Sequence, residues 1–105
     1  MDEQFVCEQL QPVEGTMDNL AMARGEPGLP GRFIWRKREH TVARVLERWK
    51  ESEEEPGGGE VYLRKHWFHI ETTDGMRMKI FFERQPRSHS QRKARWWIYT
   101  MVPAD

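Results

Sequence analysis

A chain of 105 residues, 32% of them charged and with a formal net charge of zero, has the size and composition of one small domain. Its one cysteine, Cys7, excludes an internal disulfide and a multi-cysteine zinc site, and the expected location is a reducing cytoplasm. No apolar run approaches the roughly 18 to 20 residues that a membrane-spanning helix needs, and the acidic opening "MDEQFVCEQLQ" is no secretory signal.

Residues 1–31 hold six acids and one base, four glycines and three prolines. "GEPGLPG" at 25–31 resists regular structure, because proline lacks a donor and glycine gains little by ordering. "QFVCEQLQPVE" has the pattern of one short strand, and "TMDNLAMA" that of a helical turn or two. The whole segment is expected to be a largely flexible acidic N-terminal arm. Residues 32–105, with 16 bases and 11 acids, form the expected domain, interrupted by a flexible acidic and glycine-rich loop at 51–60. Eleven of the twelve aromatic residues lie between Phe33 and Tyr99, which places the core there.

The domain opens with "RFIWR", rich in strand formers, and "KRE" follows as a turn. "EVYLRKHWFHIETT" alternates: Phe68, Ile70 and Thr72 share one face, Trp67, His69 and Glu71 the other. Asp74-Gly75 is a strong hairpin signal. "MRMKIFFER" then sends Met76, Met78, Ile80 and Phe82 inward and Arg77, Lys79, Phe81 and Glu83 outward. "QPRSHSQRKA" is a loop by its composition, and "RWWIYTMV" is a closing strand.

The stretch "HTVARVLERW" admits two structures. Val42, Val45, Leu46 and Trp49 fall at helical spacing, with Thr41 as a cap. A strand with one extra residue near Ala43–Arg44 gives the same spacing and puts Val42, Val45 and Trp49 on one face. The acids from Glu51 to Glu55 would sit unfavourably at a helix C-terminus, and "RFIW" needs a hairpin partner. The expected fold is therefore mainly β: about five antiparallel strands in a meander, closing as a small SH3-like barrel. The alternative is an α+β fold with residues 41–54 helical against a four-stranded sheet.

"FIWRKREHTVARVLERW", "VYLRKHWFHIETTDG", "MKIFFER" and "RWWIYTM" together resemble a family of small uncharacterised bacterial domains. Their opening reads F-x-W-[RK]-[GK]-[RK]-x-[HY]-x-V-x-x-V-L-x-x-W. The resemblance covers about residues 32–102 and leaves the arm out. It implies a compact, mainly β cytoplasmic domain without assigned catalytic residues. The family usually has glycine where this chain has Lys37, which makes the turn here less favourable.

No nucleophile–base motif is present, so no enzymatic activity is expected. His66 and His69 are three apart on a strand and point to opposite faces, so no metal site is expected, nor any cofactor or small-molecule substrate. "GGG" at 57–59 lacks the lysine and helix of a phosphate loop. What remains is basic residues beside aromatics. Arg36, Lys37, Arg38, Arg64, Lys65, Arg92, Lys93 and Arg95 are candidate phosphate contacts, with Trp67 and Trp96 as stacking platforms for single-stranded DNA or RNA. The competing expectation is a protein-interaction or homodimerisation adaptor that buries the exposed Trp and Phe face. Ordinary solubilising charge, with arginine stems lying on tryptophan, explains the same residues without any ligand.

Overall fold

The computed structural model describes residues 3–54, 61–83 and 95–104. In chain order these form β1 (Gln4–Gln9), β2 (Gln11–Pro12), the short helix α1 (Asn19–Ala23), β3 (Arg32–Trp35), β4 (Arg38–Glu54), β5 (Val61–Thr72), β6 (Arg77–Glu83) and β7 (Trp96–Val102). All seven strands pair antiparallel, in the order β1-β7-β6-β5-β4-β3-β2. Only Leu10 separates β1 from β2, so one N-terminal run borders both ends of the sheet and curls it into a half-barrel. The Leu10 N–H donates to the Trp96 carbonyl at 3.1 Å, while the Val13 N–H donates to Arg32 at 3.0 Å.

The fold is thus mainly β and barrel-like. The five expected strands are present, and two more come from the segment expected to be a loose arm. That expectation is corrected: β1 lies on β7, β2 on β3, and Leu10 is buried in the core. Low aromatic content misled, because β1 needs few large groups of its own when it lies against the aromatic-rich β7. The expected acidic loop is also shorter. Glu51–Glu54 continue β4 against β5, and 55–60 lie outside the described residues.

The helical alternative for 41–54 is overturned, since Arg38–Glu54 is one strand of 17 residues. It joins β3 through a hairpin whose two loop residues, Arg36 and Lys37, are both left-handed, with φ of 53° and 64°. This is the backbone of a tight primed turn, which matches the right-handed twist of its strands. The register of β4 against β5 slips between Val42 and Arg44, again between Val45 and Glu47, and again between Glu51 and Glu53. The first slip falls at the predicted place and keeps Val42 and Val45 against the core. The second reverses the facing of the residues beyond it. Trp49 pairs with the outward Trp67 and is 37% exposed, so its expected core position is corrected.

The core comprises Leu10, Phe33, Trp35, Phe68, Ile70, Met78, Ile80, Trp96, Ile98 and Met101. The alternation read for β5 and β6 holds, including the hairpin at Asp74-Gly75, where Gly75 has φ of +88°. Residues 13–31 cross the inner side. Asp18 caps α1 by accepting the Ala21 N–H at 3.1 Å, and Leu29 packs against the core. α1, five residues long, is far too short to cross a membrane.

Candidate binding face

Alternation along four strands sets a row of aromatic side chains across the outer face. Trp49 on β4, Trp67 on β5, Phe81 on β6 and Trp97 on β7 are consecutive register partners. Trp49 and Trp67 stack parallel, with centroids 5.7 Å apart and planes at 1°. Trp67 meets Phe81 at 4.8 Å, and Phe81 lies parallel to Trp97 at 6.4 Å. Tyr99 stands edge-on to Trp67 at 5.2 Å; it is the extra residue between Ile98 and Thr100 and has no register partner on β6. Phe5 on β1 ends the row against Tyr99 at 5.2 Å. The inner members are covered by their neighbours, whereas Phe5 is 69%, Tyr99 38% and Trp49 37% exposed. Cross-strand aromatic pairs stabilise a sheet, so part of this row serves the fold.

Charged rows flank the aromatic one. On one side Glu51, Lys65 and Glu83 are register partners; on the other stand Glu47, His69 and Lys79, and beyond them Arg44, Glu71 and Arg77. Glu51 accepts the Trp67 indole N–H at 3.2 Å, and Lys65 Nζ lies 5.1 Å over the Phe81 ring. Glu71 bridges Arg44 at 2.6 Å and Arg77 at 3.6 Å, and the Arg44 hydrogen bond chiefly holds its carboxyl below the ordinary range. Glu3 accepts the Thr100 hydroxyl at 2.7 Å and pairs with Lys79 at 3.1 Å, and its carboxyl is lowered by these two contacts in that order. Among the described side chains, the outer face therefore sets Glu3, Glu47, Glu51, Glu71 and Glu83 against Arg44, Lys65, Arg77 and Lys79. It is charge-balanced, not basic.

The predicted contact residues scatter. Trp67 is on the outer face but buried at 9% exposure between Trp49 and Phe81. Trp96 is corrected outright: it points inward at 6% exposure, against Phe68 and Phe82, and its neighbour Trp97 takes the outer position. Arg36, Lys37 and Arg38 sit at the β3–β4 turn, away from the aromatic row. Arg36 lies 4.5 Å over Trp35 and makes a two-pronged bond to Glu8 at 3.0 and 2.8 Å. The same carboxylate accepts the Trp35 indole N–H at 2.8 Å. Arg36, ahead of Trp35, lowers the Glu8 carboxyl, and Glu8 in turn raises the Arg36 guanidinium. Lys65 and Arg95 share one end of the sheet, with Arg95 5.9 Å over Phe82. Arg64 belongs to β5, while Arg92 and Lys93 lie outside the described residues. His66 and His69 face opposite sides, as alternation requires.

Sequence reasoning missed Trp49, Tyr99 and Phe5 as surface aromatics. The extra residue in β4 that turns Trp49 outward leaves no mark in composition, and Tyr99 follows the outward Trp97 by alternation once the facing of the Trp96–Trp97 pair is set.

A family model described as a domain of unknown function, DUF6504, matches residues 1–102. The chain belongs to that family. The match takes in β1, β2 and α1, so the N-terminal segment is part of the family's domain. No curated protein and no solved structure matches the chain.

Proposed function

We propose that this protein is a non-catalytic binding module whose outer sheet face docks a protein surface, in the first instance a second copy of itself. The observation that carries this reading is the aromatic row with exposed ends at Trp49, Tyr99 and Phe5, set between rows of mixed charge. An apolar aromatic centre with a polar rim is the anatomy of a protein interface, and Trp and Tyr are its favoured anchors. Charge balance bears on the partner. A face whose described side chains set nearly equal numbers of acids and bases against each other offers little long-range attraction to a polyanion and little repulsion to its own copy.

Sedimentation velocity between about 1 and 500 μM, a span that brackets affinities of moderate interfaces, should show a monomer–dimer equilibrium that persists at high salt. The double variant Trp49→Ala/Tyr99→Ala should shift it to monomer. A chain that stays monomeric throughout overturns the reading. Titration with a single-stranded oligonucleotide runs beside it, because Lys65 over Phe81 and Arg95 over Phe82 are the elements of a stacking and phosphate surface. Binding there, falling steeply with salt, would replace the protein reading with the nucleic-acid one.

A further inference from the structure

On the inner side, opposite the aromatic row, the segment carrying α1 does not close fully onto the sheet. It leaves a cavity of about 140 Å³. The segment supplies Asp18, Ala21, Glu26, Pro27 and Leu29, and the sheet supplies Arg48, Trp49 and Lys50 from β4 and His66, Trp67 and Phe68 from β5. Register explains the grouping. After the second slip in β4, Arg48 and Lys50 fall opposite the inward Phe68 and His66. Two cations thus point to the side of the sheet that elsewhere holds the core.

Their partners decide what the cavity accepts. Of the two acids on the wall, Asp18 accepts the Ala21 N–H at 3.1 Å and keeps its charge, and Glu26 pairs with Arg24 at 3.1 Å. Arg48 and Lys50 have no ion pair among the described residues. A cavity that joins the apolar surfaces of Leu29, Pro27 and Phe68 to two cations without an ion pair among the described residues fits a ligand with one anionic group and one apolar body. Guanidinium and ammonium groups bind a carboxylate through charge-assisted hydrogen bonds. The volume limits the body: an engineered protein cavity of about 150 Å³ takes up benzene and little more.

We propose that this cavity is a binding site for a small carboxylate carrying a single ring or a short branched chain, held at its charged end by Arg48 and Lys50 and at its apolar end by Leu29, Pro27 and Phe68. The site borders the β4–β5 end of the aromatic row through Trp49 and Trp67, but its charged end, Arg48 and Lys50, lies on the other side of β4.

The test uses the full chain and benzoate as probe, followed by two-dimensional amide NMR. Shifts should saturate with benzoate and map to residues 18–29, 48–50 and 66–68. Benzyl alcohol keeps the ring and loses the charge, and inorganic phosphate keeps charge and loses the ring; each should bind at least about ten-fold more weakly, the weight of one charge-assisted hydrogen bond or of the buried ring. Arg48 and Lys50 are exposed, so Arg48→Gln/Lys50→Gln should keep the fold, checked by the unchanged spectrum of the free protein, and weaken benzoate by about ten-fold or more. Several outcomes would overturn the proposal: shifts that rise linearly without saturating, shifts that centre on Phe5, Phe81, Trp97 and Tyr99, benzylamine binding as well as benzoate, or a double variant with unchanged affinity.

Discussion

Replacing Leu10 by alanine separates a structural N-terminal segment from a loose one. Leu10 is 4% exposed and packs in the cluster that holds Phe33, Trp35, Trp96 and Ile98. It is also the joint between β1 and β2, the strands that border the two ends of the sheet. Truncating a buried leucine removes its transfer free energy and leaves a cavity, at a cost of about 2–5 kcal/mol. Domains of this size hold only about 5–15 kcal/mol in total. Each kcal/mol lowers Tm by roughly 4–8 °C in a domain of 60–100 residues, so a loss of at least about 8 °C is expected. Thermal unfolding followed by near-ultraviolet circular dichroism reports it directly, because the inner tryptophans lie next to the lesion. Leu20→Ala is the internal control: it is 74% exposed on α1 and should change stability by no more than about 0.5 kcal/mol. A Leu10→Ala protein whose Tm matches that of Leu20→Ala would refute the claim that the N-terminal run is an integral part of the half-barrel.

Two further predictions concern the β3–β4 hairpin. Lys37 is left-handed at φ of 64°, which costs a side-chain-bearing residue about 1–2 kcal/mol, while glycine's extra chain entropy gives back roughly 0.5–1. Lys37→Gly should therefore raise stability by about 0.5–1 kcal/mol in urea melts, and a lower midpoint would contradict the turn geometry. His40 is buried between Phe33 and Trp35, its Nδ1 without a hydrogen-bond partner and 4.0 Å from Asp74. Burial pushes its pKa below the ordinary 6.5, against a smaller opposing pull from Asp74. The unfolded chain then binds the extra proton first, so stability is full above pH about 6.5 and falls as pH drops through that value. Glu3, Glu8 and Glu71 have carboxyls lowered from 4.5, so their contributions are lost only further down. Urea midpoints at pH 7.5 and 5.2 should differ for the parent and not for His40→Gln; equal midpoints for the parent would remove the argument.

Much of the fold could be read from side-chain alternation. The period-2 patterns of β5 and β6 and the Asp74-Gly75 hairpin are local signals, and all appear as read. Local signals fail where the decisive partner is remote. Glu8 looks like one more acid in a polar segment, yet 27 residues later in the chain Trp35 supplies the indole N–H that it accepts. Leu10 looks like a lone apolar residue and becomes the joint of the barrel because β7 and β3 stand ready on either side. Trp96 and Trp97 are locally equivalent, and only the register with Phe82 and Phe81 decides which one faces inward.

Basic composition says correspondingly little about a partner. Counting cations between Arg36 and Arg95 made the domain look like an anion binder, but charge acts in three dimensions. Glu8 reaches Arg36 and Glu3 reaches Lys79, both from the acidic N-terminal segment, while Glu71 serves Arg44 and Arg77 across strands. Two cations of the domain, Arg36 and Lys79, are thus paired with acids of the N-terminal segment. In β4, one extra residue at Ala43 keeps Val45 inside. A second at Leu46 sends Trp49 out to the aromatic row and turns Arg48 and Lys50 toward the inner cavity. Removing that second extra residue, by deleting Leu46, would exchange the two faces for the rest of the strand. Trp49 would then enter the inner side and the two cations would join the outer one. A protein that still folds after that deletion should lose both benzoate binding and self-association, and a protein that keeps both would show that neither depends on the slip in β4.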